Sequence, residues 1–96
     1  MEPLPDRDMT PNEYLNAAKK AMQIESDYEL ARRFDVGTGI ISKFRQGTRS
    51  IPTILATKIA IALNIDPMTV IADLEGQREK NPKKAEFWRS FPSRAG

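Results

Sequence analysis

Residues 26–49, SDYELARRFDVGTGIISKFRQGTR, read as two short helices joined by a tight turn. Ser26 suits the cap of the first, and Glu29 three residues on gives the S-x-x-E spacing of a capping box. Leu30, Ala31 and Phe34 then recur at helical spacing and supply an inward face. Asp35-Val36-Gly37 punctuates the stretch, because aspartate tolerates the left-handed conformation and a polar residue suits a turn. The second helix carries Ile40, Ile41 and Phe44. It is expected to stop at Gly47, where glycine closes a helix in the left-handed region without steric penalty. Ala31 is small enough to let two helices cross at a steep angle.

Helix, tight turn, helix is the layout of a helix-turn-helix, whose second helix enters the major groove of DNA. The charge pattern agrees with it. The chain carries a net +2, unevenly spread. Residues 1–30 hold seven acids against three bases, whereas residues 31–58 hold six bases (Arg32, Arg33, Lys43, Arg45, Arg49, Lys58) against Asp35 alone. Positive charge therefore falls on the helix-turn-helix, where a phosphate backbone would want it. A solvated basic face is the plainer explanation of such a run, and its coincidence with the motif counts against that. Gly37-Thr38-Gly39 is not a dinucleotide loop, since no strand precedes it and no third glycine follows.

Composition narrows the remaining possibilities. At 96 residues, with 40% hydrophobic and 29% charged, the chain has room for one small domain. It contains no cysteine and no histidine. Disulfides, thiolate or imidazole metal sites, cysteine nucleophiles and histidine general bases are excluded. No cluster of acids has metal-binding spacing, so no metal or other cofactor is expected, and no small-molecule ligand is indicated. The longest unbroken apolar run, Ile59 to Leu63, is far too short to span a bilayer. The opening MEPLPDRDM lacks the basic and apolar regions of a signal peptide. The expectation is a soluble cytoplasmic protein with no membrane partner.

Around the central stretch the chain reads as more helices. Residues 1–9 hold two prolines and three acids without periodicity and read as a mobile arm. Thr10-Pro11-Asn12-Glu13 is a second capping box with proline at the first helical position. The helix it opens should run to about Met22, with Leu15, Ala18 and Met22 on one stripe, and Ile24 should plug the core. Pro52 starts a fourth helix reaching Leu63, burying Leu55, Ile59 and Leu63, with Ala60 and Ala62 allowing close contact. Asn64 suits a left-handed cap. Asp66-Pro67 gives cap and first residue of a fifth, with Val70, Ile71 and Leu74 inward. The domain is thus expected at residues 10–75, all-α with five helices, followed by a tail at 76–96. Helix five could continue through Gly76 at a cost of about 1 kcal/mol. Asn81-Pro82 restarts a short helix that places Phe87, Trp88 and Phe91 within one turn of each other. Those aromatics are left over once the core is filled, and something should cover them. Pairing with a second copy, docking onto the chain's own domain and disorder all remain open for this tail.

From Leu30 to Leu63 the chain resembles the lambda-repressor-like, Cro-type helix-turn-helix family. The resemblance rests on Leu30-Ala31, the turn at Asp35-Val36, Ile41-Ser42-Lys43-Phe44, Gly47-Thr48-Arg49 and Ile59-Ala60-Ile61-Ala62-Leu63-Asn64. The wider layout, with SDYELA, NIDP and the closing KNPKKAEFW, looks like small phage and prophage repressors. The resemblance implies a five-helix domain that binds palindromic operator DNA as a homodimer to regulate transcription. It places Gly37, Thr38, Gly39, Ser42 and Lys43 against base edges, and Arg32, Arg45, Thr48, Arg49 and Lys58 against phosphates. The aromatics Phe87, Trp88 and Phe91 would serve pairing.

Three positions depart from the family pattern. Asp35 replaces the usual turn glycine. Asp27 stands where members often carry glutamine beside a phosphate, and a carboxylate there repels DNA unless it serves only as a helix-end charge. Gly37 and Gly39 replace longer polar residues, either to bring the backbone close to DNA or simply as a loosened helix start. Ile40 could touch a thymine methyl or pack against the preceding helix. A second functional class is an antitoxin-type DNA-binding protein whose aromatic tail holds a partner protein. An enzyme is not expected, because no residue set for chemistry gathers anywhere in the chain.

Overall fold

The computed structural model describes residues 9–95, with side chains described through residue 88. The order is α1 (Pro11–Ala21), α2 (Asp27–Phe34), α3 (Thr38–Gln46), α4 (Thr53–Leu63), α5 (Pro67–Arg78) and α6 (Pro82–Ala95). The fold is all-α, with no strand among the described residues. No helix of the described residues is long and apolar enough to cross a membrane.

One device ends α1 to α4. Gln23, Asp35, Gly47 and Asn64 each take the left-handed conformation, with φ of 59°, 60°, 78° and 60°. The next residue's N–H then returns to a carbonyl five positions back: Ile24 to Lys19, Val36 to Ala31, Thr48 to Lys43 and Ile65 to Ala60, at 2.8–3.1 Å. These bonds satisfy helix-end carbonyls that would otherwise lack partners. Ile24, Val36 and Ile65 also turn their side chains onto the core, Ile24 fully and the other two in part. Those three helix ends are thereby pinned twice, by the backbone and by an apolar contact.

Helix starts follow the capping logic, with two adjustments. Thr10 makes both halves of its capping box with Glu13. Ser26 makes only one, accepting from the Glu29 N–H at 3.1 Å. The Glu29 carboxylate turns instead to Arg32 and Arg33, one turn ahead on the exposed side. Pro52 is the cap residue rather than the first residue of α4. Asp66 caps α5 by accepting from the Met68 N–H at 2.9 Å.

The core joins Leu15 and Ala18 of α1, Leu30, Ala31 and Phe34 of α2, Ile41 and Phe44 of α3, Leu55, Ala56, Ile59 and Ala60 of α4, and Val70 of α5. Burial of each large apolar side chain contributes about 1.5–3 kcal/mol. Met22, Leu63, Ile71 and Leu74, expected inside, are only partly buried at its margin.

Both ends of the expected domain shift outward. Met9, assigned to the arm, is buried, while residues 1–8 lie outside the described residues. Its N–H donates to Asp73 at 2.9 Å and its carbonyl accepts from Gln77 at 2.5 Å. Tyr14 also donates to Asp73, at 2.5 Å, so one carboxylate ties the chain entry and α1 to α5. At the other end α5 runs through a buried Gly76 to Arg78, past the expected boundary at residue 75. Its successor is not short: α6 has 14 residues. α6 folds back against α5 and so extends the helical body.

Candidate nucleic-acid interface

α3 presents two faces. Ile41 and Phe44 face inward and are buried, against α2 and the core. Thr38, Gly39, Ser42, Lys43 and Gln46 are all exposed. Positions 38, 42 and 46 line one stripe at four-residue spacing, with 39 and 43 on the adjacent one. Gln46 was not singled out from the sequence, although its spacing from Ser42 would have found it; its side-chain amide donates to the Ser42 hydroxyl at 3.3 Å. Ile40 is partly buried against the core, the second of its two expected placements. Gly37 is the N-cap residue of α3 and is exposed, outside the helix proper.

The cations around this face divide into engaged and unengaged ones. Lys43 and Arg49 are exposed, and among the described residues neither makes an ion pair. Arg49 stands on the rim of two shallow clefts, one towards Gly47 and Ile51, the other towards Ile54 and Lys58. Arg32 is exposed, and its 3.3 Å pair with Glu29 is a surface pair of little energetic weight. Thr48 donates its hydroxyl to the Lys43 carbonyl at 3.3 Å, helping to close α3. Lys58 donates to the Phe34 carbonyl at 3.2 Å, placing a cation at the C-terminal end of α2 where the helix dipole favours one.

Arg45, expected at a phosphate, has its guanidinium engaged within the domain. Its guanidinium donates twice to Asp27, at 2.8 and 2.9 Å, and once each to Asn12 at 2.9 Å and Asn16 at 3.0 Å. Asn12 in turn donates to the Arg45 carbonyl at 3.2 Å. Lys19 completes the cluster, 3.1 Å from Asp27. The planar fork of arginine fits a carboxylate in this two-pronged way, which a lysine could not do. Arg45 thus binds α1, α2 and α3 together. Asp27, the unexpected carboxylate of the motif, is its counter-ion. The Arg45 hydrogen bond holds the Asp27 carboxyl below the usual carboxylate range; burial pushes the other way, and Lys19 adds to the lowering. The negative charge at Asp27 is therefore balanced within the domain.

The three tail aromatics are only partly visible as a site. Phe87 is 47% exposed. Trp88 is half-buried and meets Phe87 edge-on, with ring centres 5.2 Å apart and planes at 76°. The side chain of Phe91 lies outside the described residues.

Comparison with known families, with characterised proteins and with solved structures finds no match. The functional reading rests on the residues and geometry above.

Proposed function

We propose that the chain is a sequence-specific double-stranded DNA-binding regulator of transcription, of the lambda-repressor-like helix-turn-helix kind, acting as a homodimeric repressor. The observation that carries this reading is the outer face of α3. Five neighbouring exposed positions there offer hydroxyl, amide and ammonium groups and bare backbone. The inner face of the same helix is locked by Ile41 and Phe44. A helix held so firmly with a polar outer face suits a major groove, whose base edges present donors and acceptors. In this reading Lys43, Ser42 and Thr38 meet bases, with Gln46 beside them. Arg49, Arg32 and Lys58 meet phosphates, and Arg45 acts as the support of α3.

One recognition helix reads only a few base pairs. Two-fold pairing, with recognition helices about 34–36 Å apart, gives a site long enough to be found in a genome. The exposed edge of α6 at Phe87 is the surface we assign to that pairing. The same edge carries the second reading, in which it holds a partner protein of antitoxin type; co-purification of a second chain would favour that reading.

Salt dependence tests the proposal. With three or four phosphates neutralised per protomer, the log–log slope of affinity against salt should be about −5 to −7 for a dimer. Gel shifts on a preferred duplex that do not change between about 50 and 200 mM salt would refute the basic-face argument.

A further inference from the structure

The three glycines at the ends of α3 fall into two kinds. Gly47 is held at φ +78°, a conformation that side chains resist, so the fold itself requires glycine there. Gly37 and Gly39 have no such requirement. Gly37 has φ −71° and ψ 148°, extended values open to any residue. A methyl group built on it would meet only Ile40 Cγ1, at 3.9 Å, an ordinary contact. A methyl group on Gly39 would meet nothing within 4 Å.

The domain would gain from side chains at both positions. Alanine is the better helix former at a position inside the first turn, such as 39. Serine or aspartate at position 37 would cap α3, which has no side-chain cap, as Thr10, Ser26 and Asp66 cap α1, α2 and α5. Two stabilising choices have been left unused, at the N-cap and in the first turn of the helix proposed to read DNA.

We infer that Gly37 and Gly39 are clearance residues: they leave the backbone bare at the N-cap and second position of α3 so that it can lie against the floor and wall of a DNA major groove. The inference rests on the proposed DNA-binding reading and deepens it. Residue 39 also precedes Lys43 by one turn on the same stripe. Helical side chains lean towards the helix N-terminus, so the patch that Lys43 covers lies over residue 39. With no Cβ at 39, the Lys43 stem can pass close along the backbone and deliver its ammonium deeper into the groove. Specificity then depends on two missing side chains as well as on the ones present.

Gly39→Ala and Gly37→Ser test this, with Gly47→Ala as the contrasting variant. Thermal melts of the three proteins are paired with binding to a duplex selected by the wild type and to a random duplex. Gly39→Ala and Gly37→Ser should melt at or above the wild-type temperature, Gly39→Ala by about 4 °C more. Both should bind the selected duplex about tenfold or more less tightly, with a smaller loss on the random duplex. Gly47→Ala should melt lower. If the stabilised variants bind the selected duplex as well as wild type, the clearance inference is overturned and the DNA-binding reading stands. If Gly39→Ala melts lower, the fold needs that glycine and the inference is likewise overturned. If wild type itself prefers no duplex, the DNA-binding reading fails first.

Discussion

The two ends of α3 are held in different ways. At the C-terminal end, Arg45 is bonded to Asp27, Asn12 and Asn16, Gly47 turns the chain, and Thr48 returns two bonds to the Lys43 carbonyl. At the N-terminal end there is no side-chain cap, and Thr38 and Gly39 stand exposed. Of residues 37–40 only Ile40 packs on the body, partly buried, with its N–H on the Gly37 carbonyl at 3.0 Å, before the fully buried Ile41. A helix secured at its root can leave its tip free of structural duties. Substitutions at the root should therefore change stability, and substitutions towards the tip should change what is bound.

The largest effect on folding should come from the root. Arg45→Ala removes the ion pair and the bonds to both asparagines. Hydrogen bonds involving a charge are worth about 1.5–3 kcal/mol, and the solvent reaching this pair discounts that. The Asp27 side chain is 38% exposed and that of Arg45 23%. A loss of about 2 kcal/mol in urea unfolding is expected. Arg45→Lys keeps the charge without the fork and should recover less than half of it. An Arg45→Ala protein as stable as wild type would remove the contrast between the two ends.

A smaller effect sharpens the same contrast through pH. The folded-state pKa of Asp27 lies below its ordinary value, chiefly because of the Arg45 hydrogen bond. Its stabilisation is therefore complete at pH values above the unfolded pKa, about 3.9. It is lost as pH falls below that towards the lowered folded value. Asp27→Asn should be less stable than wild type at pH 7 and should lose less on acidification. Urea midpoints from neutral pH down to about pH 2 read this directly. Parallel acid limbs for the two proteins would mean that Asp27 does not contribute as described.

Much of the root's scaffolding was legible in the sequence, and its central bond was not. Asp35, Gly47 and Asn64 are residue types that tolerate the left-handed region, and each takes it. Gln23 does the same without any such preference, so composition gave no signal for it. Ala31 sits buried in α2, as its small size at the expected crossing implied. Arg45 was read as one more cation of a basic run, because its partners Asn12, Asn16 and Asp27 lie far away along the chain. Only packing brings them together. Met9 escaped for the same reason, its polar partners being in α5. At the tip, residue types named the candidate positions. What the three-dimensional surroundings added is that nothing in the fold asks for Gly37 or Gly39 to be bare.

The smallest effects on folding should come from Lys43 and Arg49, both exposed and unpaired among the described residues, yet these two carry the central claim. Fluorescence anisotropy on the preferred duplex and on a random one, for wild type, Lys43→Ala and Arg49→Ala, tests it most directly. All three proteins should unfold within about 0.5 kcal/mol of each other. Lys43→Ala should lose about 1–3 kcal/mol on the preferred duplex and little on the random one, relaxing specificity at one base position. Arg49→Ala should weaken both duplexes alike and lower the salt slope by about one. Equal losses on both duplexes for both variants, or no preference by the wild type for any duplex, would contradict the account of α3 as a sequence-reading helix.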